Sequence, residues 1–387
     1  GMVATVETGY RTTADQLATQ TIQTTISNYY DVLGNLTRVT TPGANNSVLS
    51  KNMTYDLRGR QTGLSDPDAG SYTYTYNGVG EQTSQSDSRG YVTYTSYDSL
   101  GRKAKRREGD AVVGQPGSAI AGGVLTQWTY DCANALGLLC TVTYDGTGGS
   151  GNFTSKATTY DRYSRPVGTT TRIDGKDFSS QIAYDALGRP RYAVYPQATS
   201  SVAPLAIETR YNAAGYADQT RHAVTGFIYQ TITARNSDGQ LNQASLAGTL
   251  LTQGNSYGSD GLARIAQISV TGGATLSQGF GFDSIGNLKS RSMGGTRTES
   301  EDFSYDTLDR LTGSTGGGGL VNDTGSYGYD NAGNLTSKAT LGMGHTLGSN
   351  RLCNIGASTS CAAGSTVNVN YDGSGNITRY TRPTAVQ

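Results

Sequence analysis

Histidine is nearly missing from this chain of 387 residues, which holds only two, and a surplus of either charge is missing altogether: Lys plus Arg number 30, and so do Asp plus Glu. A formal net charge of zero argues against nucleic acid or an anionic membrane as the main partner. His222 and His345 stand far apart and neither sits in a metal-ligand pattern. H-E-x-x-H, paired C-x-x-C and EF-hand spacings are missing as well, and no Gly-rich run is followed by Lys-Ser/Thr. No catalytic residue, metal or cofactor is therefore expected. No stretch approaches the roughly 18 uninterrupted apolar residues that would span a bilayer. The opening Gly1-Met2-Val3-Ala4-Thr5 lacks the basic and apolar regions of a signal peptide. Its Gly ahead of Met reads as a remnant of expression, so a piece of a longer protein is expected. Apolar residues supply 35%, below the roughly 45–50% usual for globular domains. That excludes a thick core but not a thin sheet whose units pack on their neighbours.

What is abundant is Gly, with 53 residues, and Tyr, with 26 against 6 Phe and the single Trp128. Tyr suits half-buried strand positions, where the ring buries and the hydroxyl stays wet. The tyrosines also fall in a pattern: an aromatic, Asp or Asn, two or three variable residues, Gly, then often Asn or Arg and an aliphatic. It runs through Tyr30-Asp31-Val32-Leu33-Gly34-Asn35-Leu36, Tyr55-Asp56-Leu57-Arg58-Gly59-Arg60 and Tyr76-Asn77-Gly78-Val79-Gly80. It continues in Tyr97-Asp98-Ser99-Leu100-Gly101-Arg102, Tyr184-Asp185-Ala186-Leu187-Gly188-Arg189 and Tyr211-Asn212-Ala213-Ala214-Gly215. Phe282-Asp283 to Leu288, Tyr305-Asp306 to Leu311 (with Asp309 where Gly is usual), Tyr329-Asp330-Asn331-Ala332-Gly333-Asn334 and Tyr371-Asp372-Gly373-Ser374-Gly375-Asn376 complete the strong copies. Weaker ones begin at Tyr130, Tyr160, Arg235 and Tyr257.

Neighbouring copies mostly lie 21 to 27 residues apart, which fits two strands with their turns and is too short for a pair of helices. The longer steps from 97 to 130 and from 329 to 371 read as loop insertions. Asp accepts a backbone hydrogen bond two residues on, and Gly supplies the positive φ that closes a hairpin turn. The flanks alternate, so Ser71–Tyr76 and Tyr91–Thr95 should put aromatics on one face and Thr on the other. Thr13–Thr25 is the one helix candidate, and 114–123, 146–151 and 315–319 read as Gly-rich loops. The prediction is an all-β fold, an array of stacked hairpins over residues 29–387 cut at its C-terminal end, with 1–28 a partial repeat or N-terminal cap.

Other clusters have plain readings. Arg102, Lys103, Lys105, Arg106 and Arg107 read as a solvated strand and loop, and Glu299, Glu301 and Asp302 as a solvated strand end. Cys132 and Cys140 are eight apart, as are Cys353 and Cys361, and two local pairs point to disulfides made in an oxidising compartment. Reduced, half-buried cysteines in a protein exported whole are the alternative.

More than ten tyrosine-aspartate motifs in phase resemble the Rhs/YD-repeat superfamily, which includes bacterial Rhs polymorphic toxins, wall-associated YD-repeat proteins, shell components of insecticidal toxin complexes, and teneurins. Asp66-Pro67-Asp68-Ala69-Gly70-Ser71-Tyr72 is similar to a segment common in bacterial members. The resemblance covers residue 28 to the C-terminus and implies a YD-repeat β-solenoid spiralling into a hollow shell or tube around a C-terminal toxin cargo. Toxins of this family end their core in a self-cleaving aspartate segment, which Tyr380-Thr381-Arg382-Pro383 does not match, and Asp66-Pro67 reads as a turn. The expected role is a non-enzymatic scaffold of an exported bacterial protein, secreted or at the cell surface. Its partners would be the rest of its parent chain and the cargo. The alternatives are an adhesion or carbohydrate-binding module that takes glycans, and a polysaccharide-active enzyme built on the array.

Overall fold

The computed structural model describes residues 3–11, 20–110, 124–145, 153–197, 203–259, 261–273, 275–295, 298–317, 325–356, 361 and 367–380. They form 31 strands, from Val3–Arg11 to Ile377–Tyr380, and each pairs antiparallel with the next in the chain. The fold is an unbroken meander. Every contact between neighbouring strands is therefore local in sequence, which a chain with few apolar residues can sustain because each hairpin needs only its neighbours.

At each motif the pairing slips by one residue. Tyr30 opposes Leu36, Tyr55 opposes Gln61, Tyr97 opposes Lys103 and Tyr184 opposes Pro190, each beside a register shift. This bulge lets a turn of fixed geometry end every second strand on the same rim of the strip. The strand Gly70–Tyr76 alternates as expected, with Tyr72, Tyr74 and Tyr76 half-buried and Ser71, Thr73 and Thr75 exposed. The next aromatic strand does not: Tyr91 and Tyr94 are three apart, so they fall on opposite faces. Fully buried apolar side chains are few and scattered, among them Leu49, Val92, Ala244, Val367 and Val369.

Three expectations are corrected. The helix candidate is strand over Gln20–Tyr30, where Thr and Ile favour a pleated sheet; residues 12–19 lie outside the described residues. Thr315, Gly316 and Gly317 end the strand Leu311–Gly317 and pair with Asp302, Glu301 and Ser300. The loops at 114–123 and 146–151 lie outside the described residues. The step from 329 to 371 holds a further hairpin rather than a bare insertion, because His345 opposes Leu352 beside the same register shift.

The strip then returns on itself. Asp68, in the turn after Gln61–Asp66, accepts hydrogen bonds at Oδ1 from the Asn350 N–H (2.6 Å) and at Oδ2 from its Nδ2 (3.2 Å). The Asp68 carbonyl takes a third, from Arg351 Nε at 2.8 Å. Ala44 N–H reaches Asn350 Oδ1 (3.1 Å), Ser88 Oγ donates to the Gly373 carbonyl (2.8 Å), and Arg89 pairs with Asp372 (3.2 Å). These partners stand 282 to 306 residues apart. One rim of the early hairpins thus sits on the motif rim of the late ones, along a seam of turns. At about 4.8 Å per strand, the roughly two dozen strands between these contacts measure about 110 Å, the circumference of a ring about 35 Å across. The approach at the seam is close: a Cβ added to Gly375, whose φ is +81°, would overlap the Asp68 carbonyl oxygen.

Candidate functional site

The repeated motif is a unit of three polar devices. Asp56 shows the first: its Oδ1 accepts from the N–H groups of Arg58 (2.9 Å) and Arg60 (3.0 Å). Its backbone carbonyl takes the Gly59 N–H (3.0 Å), and its own N–H donates to the Arg60 carbonyl (2.9 Å). The same set recurs at Asp31, Asp98, Asp185, Asp330 and Asp372 with Gly34, Gly101, Gly188, Gly333 and Gly375. Ser164 and Asp309 fill the glycine position at φ 61° each. The same turn also occurs on the opposite rim at Asp87-Ser88-Arg89-Gly90, which the sequence reading missed because Ser, not Tyr, precedes the Asp.

The second device is the residue after the Gly. Arg60, Arg102, Arg165, Arg189 and Arg310 each bind the Oδ2 of their own turn's Asp through Nε. Each guanidinium then covers the motif ring of the following repeat, at 4.1 to 4.8 Å from the centroids of Tyr76, Tyr130, Tyr184, Tyr211 and Tyr329. Where Asn takes the position, as at Asn35, Asn334 and Asn376, its Nδ2 keeps the bond to the Asp. Arg102 also grips Asp131 (2.7 Å). That bond, with the Gly137 N–H, holds the Asp131 carboxyl down to about 2.

The third device corrects the expectation of a wet hydroxyl. Ten motif tyrosines donate their hydroxyl to the backbone carbonyl of the preceding repeat's bulge partner, at 2.6 to 2.9 Å. Tyr55 reaches Leu36, Tyr76 reaches Gln61, Tyr97 reaches Gln82, and so on to Tyr371 and Leu352. Burial raises the pKa of Tyr55, Tyr97, Tyr305 and Tyr371, as expected for hydroxyls sealed between repeats. The degenerate repeat at Arg235 keeps the contact by other chemistry: Arg235 Nη2 donates to the Ala217 carbonyl (2.9 Å), the corresponding acceptor. Phe282 keeps the ring without the hydroxyl, under Arg264 at 5.1 Å.

Comparison with solved structures fits this geometry. A structure of TcdB2-TccC3-TEV superposes on 97% of this chain with a TM-score of 0.70 and 14% identity. One of TcdB2-TccC3 covers 94% with a TM-score of 0.65 and 14% identity. The chain shares the TcdB2-TccC3 fold. The Photorhabdus luminescens Tc holotoxin pore covers 94% at 13% identity with a TM-score of 0.54. The chain spans about a fifth of the length of these proteins, 21% to 23%. No family model and no curated protein matches it. The fold that the tyrosine-aspartate motifs implied is therefore met in three dimensions, at an identity too low for pairwise sequence comparison to show.

The remaining candidates fall in different places. Cys132 and Cys140 are bonded across the enlarged turn after Tyr130, with Cα atoms 6.0 Å apart, and Cys353 is bonded to Cys361 at 5.5 Å. His222 Nδ1 accepts from the N–H groups of Val224 and Thr225 and so caps a turn. Burial lowers the pKa of His345, which occupies a Tyr position. In the basic cluster, Arg102 serves the motif and Arg106 pairs with Glu108 (2.7 Å). Glu208, which the sequence reading passed over, is almost wholly buried beneath Arg191, Arg221 and Tyr192 on the neighbouring strands. Burial pushes its carboxyl up, but the hydrogen bonds from Arg191 and Arg221 outweigh that and hold it below the usual range.

The acidic cluster stands at the start of a strand, with Asp302 exposed but Glu299 and Glu301 half-buried. Glu299 and Glu301 lie within the strand Glu299–Tyr305 and line a concavity of about 320 Å³ with Phe280, Arg291 and Met293. Gly316, opposite Glu301, has no side chain to fill it. Arg291 and Glu301 are paired at 2.6 Å across one wall.

Proposed function

We propose that this chain is wall: a segment of a hollow shell in an exported bacterial protein, which holds a C-terminal toxin cargo away from its surroundings. The observation that carries the reading is the seam. A strip of local hairpins needs no contact between its ends to fold, yet Asp68, Ser88 and Arg89 are matched to Asn350, Arg351, Gly373 and Asp372 almost 300 residues away. That match brings the strip round on itself, which is what a wall around a cargo requires. The solved Tc holotoxin pore and the TcdB2-TccC3 structures share this fold, which supports the reading. The two disulfides agree with a protein that ends up outside the reducing cytosol.

The test is protease protection in the parent protein. Its cargo should resist limited proteolysis when the wall is intact and become cleavable when Asp68→Ala and Arg351→Ala open the seam. A cargo cleaved equally fast in both, or an anchor or stalk in place of a cargo, would remove the basis for encapsulation.

A second reading, a carbohydrate-binding module, rests on the concavity around Phe280. An aromatic ring beside paired Arg291 and Glu301 offers a stacking surface with donors and acceptors at its edge, the arrangement a sugar ring uses. The motif tyrosines do not offer one, since their hydroxyls, and in many repeats their ring faces, are taken by the preceding repeat. Binding on a glycan array that Phe280→Ala abolishes would favour this reading; an array without signal would dismiss it.

A further inference from the structure

Glu208 is covered by more positive charge than it can neutralise. It lies mid-face on the strand Ala206–Tyr211, away from both rims, and its side chain is 1% exposed. Oε1 accepts from Nε (3.1 Å) and Nη2 (2.9 Å) of Arg191 and from the Tyr192 hydroxyl (3.3 Å). Oε2 accepts from Nε of Arg221 (2.6 Å) and pairs with its Nη2. Both oxygens are thus fully engaged. Arg210, two residues along the same strand and so on the same face, comes no nearer to Glu208 than 3.9 Å. Among the described residues, Glu208 is the one carboxylate with which these three arginines form ion pairs. The charge of Asp185 reaches Arg191, but that carboxylate is bound to Arg189. Three guanidinium charges over one carboxylate leave two uncompensated, on side chains 30% to 51% exposed. Nη1 of Arg191, Nη1 of Arg221 and the whole Arg210 fork remain available as donors. Tying the strands together does not ask for Arg210, because Arg191 and Arg221 already hold Glu208 from the strands on either side.

Beside this cluster lies a concavity of about 480 Å³, lined by Thr159, Gly168, Gln181, Ala183, Tyr192 and Val194. Tyr192 belongs to both, with its hydroxyl on Glu208 and its ring 5.0 Å from the Arg191 guanidinium. Gly168 and Ala183 have little side chain to fill the space, and Thr159, Gln181 and Tyr192 bring hydroxyl and amide groups to it. Its volume falls in the range of small-molecule sites, roughly 300–1,000 Å³.

We propose that Arg191, Arg210 and Arg221 bind a doubly charged oxyanion, the phosphate or sulfate group of a small polar ligand whose body lies in the concavity beside Tyr192. Planar guanidinium forks match the oxygens of such a group, and its two negative charges match the two the cluster leaves uncompensated. Glu208 is a positioning residue: it fixes two of the arginines before the ligand arrives, so less side-chain freedom is lost on binding.

Isothermal titration calorimetry of the full chain tests this at low salt, where exposed charge is least screened, and at about pH 8, where phosphate groups are dianions. The probes are inorganic phosphate, glucose 6-phosphate and glucose. Both phosphates should bind at one site per chain, glucose 6-phosphate about tenfold the tighter for the contacts its body adds, and glucose should not bind. Arg210→Gln removes a cation that no hydrogen bond holds, so the circular dichroism spectrum should not change while both phosphates bind about tenfold more weakly. Lys105→Gln removes the same charge from an exposed position on the strand Lys103–Asp110 and should leave both affinities as they were. No saturable binding of either phosphate overturns the proposal. So does binding that survives Arg210→Gln undiminished, or a loss as large in Lys105→Gln, which would mean diffuse attraction only. Equal affinity for the two phosphates removes the concavity from the site, and glucose binding as tightly as its phosphate removes the arginines.

Discussion

Replacing Tyr76 by Phe removes one atom from the array and isolates the contact that joins its repeats. The Tyr76 hydroxyl donates to the Gln61 carbonyl at 2.6 Å, while its ring lies 4.7 Å from the Arg60 guanidinium. In Tyr76→Phe the ring and its cover remain and no cavity opens, so the loss is that of one shielded hydrogen bond, about 1 kcal/mol. Tyr76→Ala also forfeits the ring and should cost about 3 kcal/mol. A repeat array does not unfold as a single two-state unit, so a global melt would blur the difference. Hydrogen exchange read at the amides of Gln61–Asp66 and Gly70–Tyr76 resolves it: about 1 kcal/mol is a rate change of roughly fivefold, confined to adjacent hairpins. Nature supplies the reverse case at Phe282. The acceptor available to Phe282→Tyr is the Ile265 carbonyl, the bulge partner of Tyr257, and this substitution should slow exchange around it. Unchanged exchange in Tyr76→Phe, together with no gain in Phe282→Tyr, would refute the view that hydroxyls tie repeat to repeat.

Acid should loosen the array. The Asp131 pKa is about 2 in the fold against an ordinary 3.8, so its contribution is full above about pH 4 and is lost as the pH falls towards 2. Asp56 and Asp161 are lowered by their Arg60 and Arg165 partners and act in the same direction; melting temperatures recorded from pH 5 downward should fall, and Asp131→Asn should flatten that fall. Alkali should act at the tyrosines: burial raises Tyr55 and Tyr97 above 10.0, so the unfolded chain ionises first and stability drops as the pH passes about 10. Ser164→Gly relieves a left-handed residue at φ 61° and should stabilise its hairpin by about 1 kcal/mol, read as slower local exchange. Asp68→Ala should open the seam without melting strands, seen as a larger radius in small-angle scattering with an unchanged circular dichroism spectrum; an unchanged radius would show the ring held by other means.

The repeat, its turn and the all-β class were legible because each rests on residues close in sequence. Asp at the first turn position and Gly three residues on are local requirements, so the motif reports them directly. Other features escaped for identifiable reasons. The hairpin at His345 has neither Tyr nor Asp, yet Leu352 still stands in the bulge register and receives the Tyr371 hydroxyl. The turn at Asp87 lacked the aromatic that marks the others. The seam was invisible because Asp68 and Asn350 each belong to an ordinary-looking turn, and only the curvature accumulated over the intervening strands brings them together. Glu208 was overlooked because its arginine partners lie on two other strands.

The tyrosine-aspartate motif offers little to chemistry because nearly all its polar atoms are committed. At the repeat beginning at Tyr55, the hydroxyl is bound to Leu36, Asp56 uses both carboxylate oxygens within its turn, and Arg60 holds Asp56 while covering Tyr76. A ligand competing for any of these would have to break a turn or a hairpin-to-hairpin contact to bind. The variation between repeats lies instead where the structure makes no such demand: at the turn tips, on the opposite rim, and at strand positions such as Phe280 and Glu301. In a thin array the motif therefore ties hairpin to hairpin, and closure and partner recognition fall largely to residues the motif leaves free, as Asp68 and Asn350 do at the seam. Substitutions at the tips should accordingly change what the strip touches, whereas substitutions in the motif change whether its hairpins hold together.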